Sequence, residues 1–251
     1  MKCVQWSITD RGLKRSSNQD SILINVDLGI YVLADGMGGH TGGEIASQMA
    51  VEVVQEIFQD VSLLSRSPRE RIEIAYQESC RKVYEKATVT SPELAGMGTT
   101  MVMAYVTGKN IYIGNVGDSR CYLFQKPLIW QITEDHSLIN EQIRQGHLTE
   151  DQAKVYIGKN VITRSVGYER NVDVDIIERE MSVGEVYLLC SDGLSGLVTD
   201  DMVGEILSNH EPEKAIDLCL KNALFNGGDD NVSIILLQVV EENTPLDQRG
   251  S

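Results

Sequence analysis

No cysteine in this sequence has a partner at redox or metal-ligand spacing. Cys3, Cys80, Cys121, Cys190 and Cys219 are widely separated, so no C-x-x-C pair marks a zinc ribbon or a thioredoxin-like couple. None is followed by arginine six positions later, which removes the loop of a cysteine-nucleophile phosphatase. No stretch approaches the ~18 apolar residues of a membrane span, and Met1–Asp10 lacks the apolar core of a signal peptide. Unpaired thiols then point to reducing cytoplasm, with no membrane association. Positive charge is also scarce. With 22 basic against 37 acidic side chains the chain carries −15, which argues against a nucleic-acid partner. An anionic ligand would need a locally positive site. The five prolines are scattered, and no repeat, low-complexity tract or Pro/Gly/Ser linker divides the 251 residues. One domain over residues 1–240 with a polar tail, 241–251, is expected.

Short, strongly apolar runs predict strands at Val4–Thr9, Ile22–Val26, Ile30–Ala34, Thr100–Val106, Asn110–Val116, Arg120–Phe124, Val172–Ile177, Glu185–Cys190 and Asn231–Val240. Ile45, Met49, Val53 and Ile57 recur every four residues and predict a helix over Gly43–Gln59. A second helix is expected over Arg69–Ala87, behind Pro68, and further ones over Asp200–Ser208 and Pro212–Phe225. Ser137–Lys154 reads as polar and helical. Helices come in pairs between groups of strands, not singly after each strand. That disfavours a doubly wound parallel sheet and suits packed antiparallel sheets covered outside by helix pairs.

Acidic residues recur at the strand ends. Ile30–Ala34 runs into Asp35-Gly36, Ile111–Val116 into Gly117-Asp118, and Val186–Cys190 into Ser191-Asp192-Gly193, while Asp229-Asp230 precedes the last strand. Each alone reads as a turn residue. Together, on strands that share a core, such carboxylates would crowd and require a cation. Oxygen-only donors select Mg²⁺ or Mn²⁺ over zinc, and the Gly36 carbonyl is a further donor.

The glycine-rich stretch Asp35–Glu44 lacks the Lys-Ser/Thr of a P-loop and does not fit G-x-G-x-x-G. Within it His40 is either structural or a neighbour of whatever Asp35 binds. Upstream, Arg15-Ser16-Ser17-Asn18-Gln19-Asp20 is either a solvated loop or an arginine fork for phosphate oxygens, the local positive charge the chain otherwise lacks. Asn171-Val-Asp173-Val-Asp175 resembles a phosphoaspartate or calcium motif only superficially. It lacks the EF-hand glycine, and its alternation reads as a strand with one solvated face.

Seven segments, in order along nearly the whole chain, resemble the PPM (PP2C-type) metal-dependent protein phosphatases, especially their compact bacterial members. They are Arg15–Asp20, Asp35–Glu44, Met97–Thr100, Val116–Arg120, Asp135–Ser137, Ser191–Leu194 and Gly227–Val232. The resemblance implies an αββα sandwich, two antiparallel sheets flanked by helix pairs, with metals at one end. It implies that Asp35 bridges two Mn²⁺ or Mg²⁺ ions, that Asp192 and Asp230 complete the first site, and that the Gly36 carbonyl reaches the second. Asp118 with Asp192 matches a third site of bacterial members. Arg15 matches the phosphate-gripping arginine, and Asp20 an acid that orients metal-bound water. Met37 stands where many animal members have histidine, so the general acid is His40 or a metal-bound water. The segment about 146–163 matches the variable flap. Phosphorylated proteins, and the serine/threonine kinase that makes them, are the implied partners.

Overall fold

The structure is a computed structural model that describes residues 1–153 and 161–241, without the side chains of His40, Glu150 and Asp151. Among the described residues two antiparallel sheets lie at the centre. In order across the sheet, the first contains β1 (Lys2–Asp10), β11 (Val232–Val240), β10 (Val186–Cys190), β7 (Arg120–Gln125) and β8 (Leu128–Gln131). The second contains β2 (Asp20–Asn25), β3 (Ile30–Met37), β5 (Met101–Thr107), β6 (Asn110–Val116) and β9 (Asp175–Glu180), with the short β4 (Gly98–Thr99) paired to β3.

The central strands are apolar on both faces because both are covered. On β3, Tyr31 and Leu33 point between the sheets, where Val102, Ala104, Leu123, Leu189 and Ile235 join them. Ile30, Val32 and Ala34 point outward onto α1 (Gly39–Gln59) and α2 (Pro68–Glu85), meeting Val54, Phe58, Ile72 and Tyr76. On the opposite face Leu188, Ile234 and Leu236 pack against Val203, Ile206, Ile216 and Cys219 of α6 (Asp200–Asn209) and α7 (Pro212–Phe225). The layering is helix pair, sheet, sheet, helix pair, as the pairing of helices between groups of strands implies. Truncating a fully buried leucine here, such as Leu33, costs about 2–5 kcal/mol.

Several element bounds differ from the sequence expectation. Helix α1 begins at Gly39, ahead of its first apolar residue, where periodicity carries no signal. Helix α2 is fixed by a Ser67–Glu70 capping box with Pro68 in its first turn. It gives way after Glu85 to a wider turn closed by Ser91 N–H on the Lys86 carbonyl. Ser137–Lys154 resolves into α3 (Leu138–Arg144) and α4 (Glu150–Ala153), parted by Gly146 at φ +75°; Lys154 and residues 155–160 of the expected flap lie outside the described residues, as do residues 242–251 of the tail. The strand expected at Val172–Ile177 is instead β9, from Asp175. Val172 spends its apolar side chain on the α1–α2 core, and Gln77 holds its carbonyl, so Asn171–Val174 is a packed loop and not a solvated strand. Strands β4 and β8 are too short for alternation to register.

Candidate metal centre

The loops at one end of both sheets enclose a cleft of about 1030 Å³, and Arg15, Asp35, Gly36, Asp118, Asp192 and Asp230 all line it. They come from the β1–β2 loop, the end of β3, the β6–β7 turn, the start of the short helix α5 (Asp192–Ser195) and the residues before β11. Asp20 opens β2 directly across the ladder from Asp35. His40 is the second residue of α1, but its side chain lies outside what is described.

Hydrogen bonds fix the acidic loops from behind. Thr100 grips Asp35 twice: its N–H donates to the Asp35 carbonyl at 2.9 Å, and its hydroxyl accepts from Asp35 N–H at 3.0 Å. The same hydroxyl lies 2.7 Å from the hydroxyl of Ser119, beside Asp118. A Cβ on Gly36 would sit 2.0 Å from the Gly43 carbonyl oxygen, so the approach of β3 to the first turn of α1 requires glycine. Gly117 has φ +105°, and a Cβ there would meet the Thr100 side chain at 2.6 Å.

Asp230 and its neighbours organise the arginine loop. Arg15 donates to Asp230 at 2.5 Å, whereas Asp229 turns outward to Lys14. Asn231 accepts from Gln19 N–H and donates to the carbonyls of Arg11 and Ser17, clamping the loop that carries Arg15. Ser191 donates to the Asp20 carboxylate at 2.9 Å and accepts from Ser233 N–H. Thr100, Ser191 and Asn231 were not singled out from sequence, although each falls inside a segment that carries the family resemblance. A threonine, serine or asparagine beside a strand-end acid is the signal, but its partner is invisible until the strands pair.

The acids repel one another in a place poor in water. Burial pushes Asp35 well above the usual carboxylate range, and Asp20, Asp192, Asp230 and Asp118 push it further. Burial also pushes Asp118 up to about 7, helped by Asp192 and Asp135, and Asp20 up to about 6. Asp192 is raised by burial and by Asp230, while a side-chain hydrogen bond with Asp35 works the other way. Asp20 Oδ1 and Asp192 Oδ1 are buried with no hydrogen-bond partner. Among the described residues no three His, Cys, Asp or Glu side chains already close into a ligand shell. The ring is open, but its donors are all oxygen, Asp192 Oδ1 is orphaned as is Asp20 Oδ1 beside them, and their charges repel. That combination fits hard divalent cations.

Thr163, Arg164, Asn171 and Asp173 also line the cleft. Asn171 and Asp173, set aside as a site of their own, thus contribute to this one. His136 is buried, its ring 2.9 Å from Asp175. Burial lowers the His136 pKa, and the Asp175 bond opposes the shift.

Comparison with known proteins gives a consistent answer. Residues 13–213 match the family model for protein phosphatase 2C. The serine/threonine phosphatase stp of Listeria monocytogenes serotype 4b is 37% identical over 238 residues, spanning 92% of this chain and 93% of that protein. Protein phosphatase PhpP of Streptococcus pneumoniae serotype 2 is 32% identical over 242 residues, spanning 94% and 97%. The crystal structure of the Mycobacterium tuberculosis serine/threonine phosphatase PstP/Ppp superposes with a TM-score of 0.89 at 29% identity, covering 96% of this chain and all of that one. A PstP catalytic domain in complex with 2 manganese ions superposes at 0.85 with 30% identity, covering 95% and 99%.

Proposed function

This chain belongs to the protein phosphatase 2C family of metal-dependent enzymes, and we propose that it hydrolyses phosphoserine and phosphothreonine esters of other proteins in the acidic cleft. The observation that carries the reading is the meeting of four carboxylates and one arginine, from five separate segments, around one cleft.

Asp35, Asp192 and Asp230, with the Gly36 carbonyl, would hold two Mn²⁺ or Mg²⁺ ions, and Asp118 with Asp192 a third. Bound there, the ions would supply a water of lowered pKa and neutralise phosphoryl oxygens. Arg15 binds two oxygens of the phosphate and orients phosphorus for in-line attack. Asp20, held by Ser191 behind Asp35, orients the attacking water. The departing serine or threonine oxygen is strongly basic and takes a proton, which we assign to His40 or to a second water. No covalent phosphoenzyme is formed. The net charge of −15 repels phosphorylated substrates at long range, so recognition must be local, through Arg15 and the cations.

The substrate proteins are products of a serine/threonine kinase. Among the described residues no helix is long and apolar enough to cross a membrane. All five cysteines are buried and free, which supports a reducing, cytoplasmic setting. The test is hydrolysis of p-nitrophenyl phosphate and of a phosphothreonine peptide, with Mn²⁺ and with EDTA. Turnover of both with the metal and neither in EDTA is expected. Full turnover in EDTA defeats the metal reading, and inactivity toward the peptide defeats the protein substrate.

A further inference from the structure

We propose that His136 is a positioning residue for the reaction, acting through the Gly117 amide to fix the turn that aims Asp118 into the cleft. The inference rests on the reading of Asp118 as a cation-facing group and adds to it a residue that touches neither cation nor substrate.

The contacts form a continuous chain. Gly117 N–H donates to His136 Nδ1 at 3.0 Å, and His136 N–H donates to the Gly117 carbonyl at 2.9 Å. The residue immediately before Asp118 is therefore held from both sides by one histidine. Because Nδ1 accepts a backbone N–H, it carries no proton, and the ring hydrogen must sit on Nε2. Nε2 lies 2.9 Å from Asp175 Oδ2 and donates to it. The other Asp175 oxygen accepts from Arg164 at 2.8 Å, and Arg164 also reaches the Asp173 carbonyl at 3.0 Å. Arg164 and Asp173 also line the cleft. The chain thus runs from cleft-lining Arg164 and Asp173, through a buried imidazole, to the turn that carries Asp118.

A purely structural histidine would satisfy any nearby polar group. Three features are more specific. His136 is only 7% exposed, so each ring bond is protected from water. Gly117 is in the left-handed region, at φ +105°, with no room for a Cβ against Thr100. This backbone conformation turns Asp118 out of the β6 ladder, and the imidazole bond holds it there. Finally, an Asp-His pair aimed at a backbone amide fixes the tautomer, so only the Nε2–H form keeps both bonds.

Asparagine places its oxygen where Nδ1 lies, and glutamine places its amide near Nε2. His136→Asn keeps an acceptor for Gly117, whereas His136→Gln keeps a partner for Asp175 but drops the Gly117 bond. With Asp118 aimed by that bond, His136→Gln lowers kcat on the phosphothreonine peptide by ~10–100-fold, the range for loss of an outer partner of a metal site. His136→Asn retains most of it. KM for the peptide stays near wild type in both. ¹⁵N NMR of the wild-type protein in EDTA supplies a metal-free readout: an Nε2–H tautomer for His136 and a hydrogen-bonded Gly117 amide, shifted in the Gln variant but not in Asn.

An Nδ1–H tautomer, read on the wild type, overturns the proposal however the variants fold, as do equal kcat losses in folded Asn and Gln variants. Asp118→Ala is assayed alongside. If Asp118→Ala loses turnover while His136→Gln keeps it, the positioning role fails and the Asp118 reading stands. If Asp118→Ala keeps turnover, the Asp118 reading fails, whatever the tautomer.

Discussion

Arg15 and Asp230, 215 residues apart in sequence, are joined at the mouth of the cleft by a single guanidinium–carboxylate bond. Each also has a proposed role in the reaction: Asp230 as a cation ligand and Arg15 as a phosphate fork. The arginine side chain is 51% exposed, so the bond is weak enough to exchange for phosphate oxygens.

Arg15→Ala should therefore act mainly on substrate binding. Hydrogen bonds to a charged group are worth roughly 1.5–3 kcal/mol, so KM for a phosphopeptide should rise about tenfold or more, with little change in kcat. Arg15→Lys should recover only part of that, because an ammonium cannot grip two oxygens in one plane. Steady-state kinetics on both variants checks it; a large loss of kcat at constant KM would instead place Arg15 in the transition state.

The buried acids make metal-free stability depend on pH with a definite sign. Asp118, pushed up to about 7, and Asp20, up to about 6, hold protons in the folded state that the unfolded chain releases near 3.8. The folded form binds more protons across that window, so its stability is greatest at low pH and falls as pH rises through about 4 to about 7. In EDTA the Tm should drop between about pH 5 and about pH 8, and saturating Mn²⁺ should flatten the slope. Asp35→Asn removes a repelling charge and should raise the Tm at about pH 8 in EDTA by about 2–4 °C, the shift that ~1 kcal/mol produces in a domain of this size. The same variant should have almost no turnover, as should Asp192→Ala. A Tm in EDTA that climbs over this pH range would contradict the protonated ring.

The layers of the fold were legible because the central strands are short, nearly continuous apolar runs, as Ile30–Ala34 is, and the helices between them come in pairs. The acids were legible because each interrupts an apolar run at its end. What could not be read was reach. Nothing in Asn231 tells that it holds Arg11, Ser17 and Gln19, and nothing in His136 that it holds Gly117, because such bonds depend on strand pairing far along the chain. The loop at Asn171–Val174 misled for a related reason. Its alternating valines do pack, but against α2 and not within a ladder, and alternation alone does not distinguish the two.

His40 is tested by changing the leaving group. A serine or threonine oxygen departs as a strong base, whereas p-nitrophenolate scarcely needs a proton. His40→Ala should lower kcat for a phosphothreonine peptide by ~10²-fold or more and affect p-nitrophenyl phosphate much less. Equal losses on both substrates would remove His40 from the role of general acid.

Asp118 offers the sharpest choice between a turn residue and a ligand. As a turn residue it would bond local backbone N–H groups, and its loss would loosen the β6–β7 connection. Yet the turn has other supports: Thr100 to Ser119, and Gly117 to His136 in both directions. Asp118 itself lines the cleft and feels Asp192 more than any other charge. With one carboxylate of its own, one shared, and waters for the rest, a cation between Asp118 and Asp192 would bind loosely. Asp118→Ala should thus keep its Tm and two tightly bound Mn²⁺ ions by calorimetric titration, yet lose most turnover of phosphopeptide. Normal turnover would make the third ion dispensable. An early melt with the metal stoichiometry unchanged would return Asp118 to the turn.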